Sequence, residues 1–154
     1  MFIPYARPID PTTKTDWEGT GVAPDIAVPE KEALLVAHIS ALEQVLKGPG
    51  RNLSATWALE ALKAQAHPIA VPQAILKSYT GSYGAGTRRL TYEKGKLYVE
   101  RTGASKHELI PLNMDTFYIP ETPFLRIRMN VENGKTIGLT RQYNEGSNLK
   151  DPKD

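Results

Sequence analysis

The hydrophobic positions of this chain follow two periods, and the change falls near its middle. Up to residue 28 there is no period, because Pro4, Pro8, Pro11 and Pro24 each lack an N–H and restrict the residue before them, keeping the segment extended and irregular. After Pro29 apolar residues recur every three to four positions. Leu34, Ala37, Ala41, Leu42 and Val45 form one stripe, and acidic Glu30 and Glu32 lie where a helix dipole favours negative charge. Gly48-Pro49 stops this helix. A second is expected from about Ser54 to Ala66, with Trp57, Ala58, Ala61 and Leu62 on one face, ending at His67-Pro68. Both helices are amphipathic, so each is expected to cover something.

From Tyr79 onward the period becomes two, with turn signals every 8 to 12 residues or so, the pattern of an antiparallel meander. The expected strands are Arg88 to Glu93, Lys96 to Thr102, His107 to Leu112, Thr116 to Ile119, Phe124 to Val131 and Thr136 to Tyr143. Asn133-Gly134 is the strongest turn signal, since both central residues of a type I′ turn need positive φ. Leu125, Ile127, Met129 and Val131 face one way and Arg126, Arg128 and Asn130 the other, giving this strand one dry side. The predicted fold class is therefore α+β: an extended N-terminal segment with two amphipathic helices, then a small antiparallel β-meander forming a curled sheet or partly open barrel. The boundary is drawn between residues 1–66 and 67–154, with HPIAVPQAILKSY as a short helix packed on the sheet. The tail SNLKDPKD is polar and expected to fray.

Composition narrows the function classes. With 154 residues and 40% hydrophobic content the chain can build a core. A net charge of +2 creates no long-range field for a polyanion, so nucleic acid is not an expected partner. The absence of cysteine removes disulfides, thiolate zinc sites and a cysteine nucleophile. No apolar run approaches the roughly 20 residues of a membrane span, and MFIPYARPID is too short and proline-rich for a signal peptide.

Candidate chemistry is sparse. His38, His67 and His107 are too scattered for a metal site, and neither a metal nor another cofactor is expected. Ser54, Ser78, Ser82 and Ser105 stand in no G-x-S-x-G context. Gly81 to Gly86 lacks the Lys-Ser/Thr of a phosphate loop and enters a strand, so it reads as a flexible turn. Arg88, Arg89, Arg101, Arg126, Arg128 and Arg141 could gather with tyrosines on the sheet to bind a peptide carboxylate or a nucleic-acid strand. Against this stands pairing with Glu93, Glu100, Glu108 and Glu132 across strands, and arginines facing different directions would defeat the first idea.

The segment TDWEGTGVAPDI carries a more specific signal. Trp17 to Asp25 form W-E-G-x-G-V-x-P-D, and Pro29 to Leu34 form P-x-x-x-A-L. Residues 2 to 47 thereby resemble the closing segment of the catalytic domain in the serine peptidase superfamily of tail-specific (C-terminal processing) proteases, tricorn protease and interphotoreceptor retinoid-binding protein. The stretch from Tyr79, with Y-x-G-x-Y and G-x-L-Y, is similar to a small β-domain that follows such domains in bacterial hydrolases. The resemblance implies a parent that is a periplasmic or extracellular serine peptidase acting on peptides or proteins, and makes Glu18 the candidate carboxylate orienting a catalytic histidine. The nucleophile and base are not among the matched residues, so this chain alone is expected to be inactive, and self-association through its N-terminal segment is expected to bury apolar surface. The alternative is an independent module whose β-domain holds a small apolar or peptide ligand, as the retinoid-binding relatives imply. A filled sheet interior would favour a structural appendage, an open one a ligand.

Overall fold

A computed structural model describes residues 9–14, 16, 23–50 and 52–154. The chain divides into two compact units, Met1–Ala33 and Leu34–Asp154. In the first, Asp10 turns the chain: its carboxylate accepts from the backbone N–H groups of Thr12 (2.7 Å) and Thr13 (2.8 Å), bonds that hold its pKa below the usual carboxylate value. Glu18, with Trp17, Gly19 and Gly21, lies outside the described residues, as does the segment Phe2 to Ala6.

The helices are α1 (Glu30–Leu46), α2 (Leu53–Ala66) and α3 (Gln73–Ser78). α2 starts one residue earlier than its apolar period implies, because Asn52 caps it: the Asn52 side chain accepts from the Ala55 N–H at 2.9 Å. α3 is the short helix expected between the halves.

Eight strands follow in a simple meander: β1 (Gly81–Tyr83), β2 (Arg88–Glu93), β3 (Lys96–Arg101), β4 (Lys106–Pro111), β5 (Thr116–Tyr118), β6 (Leu125–Glu132), β7 (Lys135–Tyr143) and β8 (Asn148–Pro152). Each pairs antiparallel with the next. Asn133 and Gly134 take φ of 48° and 73° between β6 and β7, as a type I′ turn requires.

Two strands escaped the sequence period, and both matter for closure. The expected frayed tail is β8, and the expected flexible turn begins as β1. A bridge pairs Tyr83 with Lys153; the Gly84 N–H donates to the Pro152 carbonyl (2.9 Å) and the Asp154 N–H to the Ser82 carbonyl (3.0 Å). These bonds join first strand to last, so the sheet curls into a nearly closed barrel. The tail does not fray because its Asp151 is buried and ion-paired.

The barrel is filled. Tyr83, Leu90, Leu97, Phe117, Ile127, Met129 and Leu139 are almost wholly shielded and belong to one cluster. One end is capped by α3, whose Leu76 joins this cluster along with Tyr79, the first residue past the helix. The Tyr79 ring meets Phe117 edge-on (centroids 6.0 Å apart), and its hydroxyl donates to the Met114 carbonyl. The Tyr83 hydroxyl donates to the Tyr79 carbonyl at 2.6 Å, which satisfies the phenol at the centre of the core.

Candidate functional site

Register sorts the six arginines onto two faces. Arg88 pairs with Tyr83, Arg101 with Arg88, and Arg141 with Ile127; because cross-strand partners share a face and Tyr83 and Ile127 are core residues, these three project inward. Arg89, Arg126 and Arg128 alternate with them and project outward. The arginines therefore do not form one binding surface. The expected glutamate pairing is real but mostly recruits other partners: Arg89 faces Glu100, while Lys96 and Lys106 bond Glu108 and Glu93.

Arg126 has a distinct position. Its side chain, only 10% exposed, reaches from β6 to α2, where it ion-pairs with Glu60, donates to the Trp57 carbonyl (3.3 Å) and lies 4.2 Å above the Trp57 ring. Burial lowers its pKa from the usual arginine value, while Glu60 opposes that shift. Asn144 adds a second tie, its amide donating to the Ser54 hydroxyl at 3.0 Å.

Between these ties lies a groove of about 850 Å³ bounded by α1, α2 and the β5–β6 connection. Leu42, Trp57, Ala61, Leu62 and Phe124 supply apolar walls. Its polar groups are few: Gln65, Asn144, Ser54 and His38 stand among them with Arg126, whose charge Glu60 meets, and no lysine or carboxylate among the described residues lines it. A concave, mostly apolar surface with a few amides and hydroxyls is the usual make-up of a ligand site. A smaller cavity of about 610 Å³, with Glu60, Lys63 and His67, lies on the other flank of Arg126.

The apolar stripe read on α1 is mostly uncovered. No residue of α1 is buried; Leu34 is 69% and Val45 57% exposed, while Leu42 turns toward the groove. The sequence period correctly found a helix here, but period alone does not say what the stripe meets.

The histidines remain apart. His38 lines the groove, His67 caps α2, and His107 Nδ1 lies 3.4 Å from Glu121. Among the described residues no cluster of metal-binding side chains occurs, and no serine hydroxyl bonds a histidine. Among them, too, no helix is long and apolar enough to cross a membrane. The turn at Gly84 to Gly86 binds an anion of the protein's own: Ala85 and Gly86, at φ of 54° and 74°, point their N–H groups at the Asp154 carboxylate (2.9 and 2.8 Å). No motif would have announced this, because its acceptor is some seventy residues away.

Fold and site together define a helix-flanked antiparallel β-barrel with a filled interior and an external apolar groove. No family model, curated protein or solved structure matches the chain.

Proposed function

We infer that this chain is a non-catalytic, peptide-binding part of an exported serine peptidase of the tail-specific protease, tricorn and retinoid-binding protein superfamily. The observation that carries the peptide-binding reading is the apolar groove beside a barrel whose own interior is full. The link to a peptidase rests on the resemblance of Trp17 to Asp25 and Pro29 to Leu34, with Glu18 as the residue that would orient a histidine supplied by another segment.

The groove favours an extended, uncharged peptide. Aromatic and aliphatic walls match apolar side chains, and Gln65 and Asn144 each offer both a donor and an acceptor to a peptide backbone. The barrel then serves as a rigid platform and α2 as one wall of the site.

Two measurements test this reading. In a Trp17→Phe chain, Trp57 is the sole tryptophan. Its emission should shift saturably on titration with short apolar peptides, and Phe124→Ala should weaken binding at least tenfold. A flat titration would sink the peptide reading, and selective uptake of small apolar molecules would favour an independent ligand module. Separately, the chain should neither label with a serine-reactive fluorophosphonate nor cleave peptides. Hydrolysis that Glu18→Ala abolishes would overturn the non-catalytic assignment.

A further inference from the structure

The barrel interior is layered. Toward α3 it is apolar, whereas toward the opposite end the inward positions include, beside Leu125 and Leu149, the polar residues Arg88, Arg101, His107, Arg141, Tyr143 and Asp151, each placed by pairing in register with an inward neighbour. Asp151 is the single inward carboxylate of this group. It accepts from Arg141 through Nε (2.8 Å) and Nη2 (3.2 Å), and from Arg88 Nη1 (3.1 Å). Its single negative charge thus faces two cations. Arg141 also donates to the Tyr143 hydroxyl at 3.0 Å.

That leaves cationic charge unmatched. Arg88 uses Nη1 on Asp151 and on the Thr87 hydroxyl, so its Nε and Nη2 edge carries no bond among the described residues. The Arg101 guanidinium, on the residue directly opposite Arg88 on the same face, has no hydrogen-bond or ion-pair partner among them. Like charges facing each other across a strand pair repel; burial is the main cause that lowers the Arg88 pKa, and Arg141 and, least, Arg101 add to it. Glu121 stands nearby on His107 but is largely exposed. Two unspent guanidinium edges at one register position are the arrangement that recognises an oxyanion by paired N–H bonds.

We propose that Arg88 and Arg101, facing each other at the polar end of the barrel, bind a small oxyanion, a carboxylate or a phosphate. The bound anion bridges the two guanidinium groups and removes their mutual repulsion. This site lies on the inward face of β2 and β3 and is independent of the peptide groove.

The test is thermal unfolding of the intact chain at constant ionic strength, with chloride replaced stepwise by sodium acetate or by inorganic phosphate. The melting midpoint should rise saturably with at least one anion, and the arm with the lower half-saturation identifies carboxylate or phosphate as the preferred ligand. Arg101→Gln, at an exposed residue with no described partner, should start from a midpoint no lower than that of the parent and show at least tenfold weaker half-saturation. Arg89→Gln, on the outer face of the same strand, should leave the response unchanged. In heteronuclear spectra the Arg88 Nε–H resonance should move along the same saturation curve. No response in the parent chain, an undiminished response in Arg101→Gln, or an equal loss in Arg89→Gln would each overturn the proposal.

Discussion

Arg141 and Asp151 form a two-bond fork between β7 and β8, with Nε–Oδ2 at 2.8 Å and Nη2–Oδ1 at 3.2 Å. Both side chains are largely withdrawn from water, at 16% and 9% exposure. The fork fixes the last strand of the barrel, and Arg88 ties the same carboxylate to β2. Removing the carboxylate would leave two partly buried guanidinium groups without their counter-charge, which costs far more than the intact pair contributes. We expect Asp151→Asn to lower the unfolding free energy by about 3–5 kcal/mol, read as a lower urea midpoint. A change under about 1 kcal/mol, the range of an exposed ion pair, would show that the fork does not hold β8.

Tyr83 gives the fold an alkaline limit. Burial pushes its phenol well above the ordinary tyrosine value, because the ionised form cannot be solvated in the core. A group whose pKa is higher in the folded state stabilises the fold fully below its unfolded pKa and loses that contribution as pH rises toward the folded value. Stability should therefore fall above about pH 10, where the unfolded chain's tyrosine begins to ionise. Tyr83→Phe should cost about 1 kcal/mol at neutral pH through the lost bond to the Tyr79 carbonyl, yet show a shallower decline between pH 9 and 11. Parallel pH profiles for the two proteins would refute this.

The contact of Arg126 with Trp57 predicts a local effect. Arg126→Ala removes the stacking, the bond to the Trp57 carbonyl and the Glu60 pair at once. The expected loss is about 2 kcal/mol, that of a desolvated cation–π contact, with amide exchange accelerating in α2 while β2 and β3 keep their protection. Uniform acceleration through the barrel would show instead that Arg126 supports the whole fold.

Ala85 sits at φ 54° between two glycines that also have positive φ. A left-handed alanine costs roughly 1–2 kcal/mol, part of which glycine would return as added freedom in the unfolded chain. Ala85→Gly should raise stability by about 0.5–1 kcal/mol and preserve the two N–H bonds to Asp154. A lowered melting midpoint would contradict this.

Period and turn chemistry carried the fold class a long way. The alternation of Leu125, Ile127 and Met129 and the Asn133-Gly134 turn placed the longest hairpin within a residue or so of its observed bounds. β8 was illegible for a definite reason: NLKDP buries an aspartate, and alternation reads apolar side chains, not a carboxylate neutralised from distant strands. The groove was partly legible. Trp57, Ala61 and Leu62 were read correctly as one face of α2, but the partners of that face, Phe124 and the stacked Arg126, come from a segment some 65 residues on, and no local pattern records such a meeting. The strongest motif, around Glu18, falls outside the described residues.

The joining of Tyr83 to Lys153 has a consequence for biogenesis. A ribosome emits β1 long before β8, so during synthesis the sheet must wait as an incomplete cylinder, its leading strand presenting unpaired amides to chaperones and to neighbouring nascent chains. Only when the aspartate of the final strand reaches its arginines can the cylinder lock, and ring closure over so long a loop is the kind of step that sets a slow folding rate.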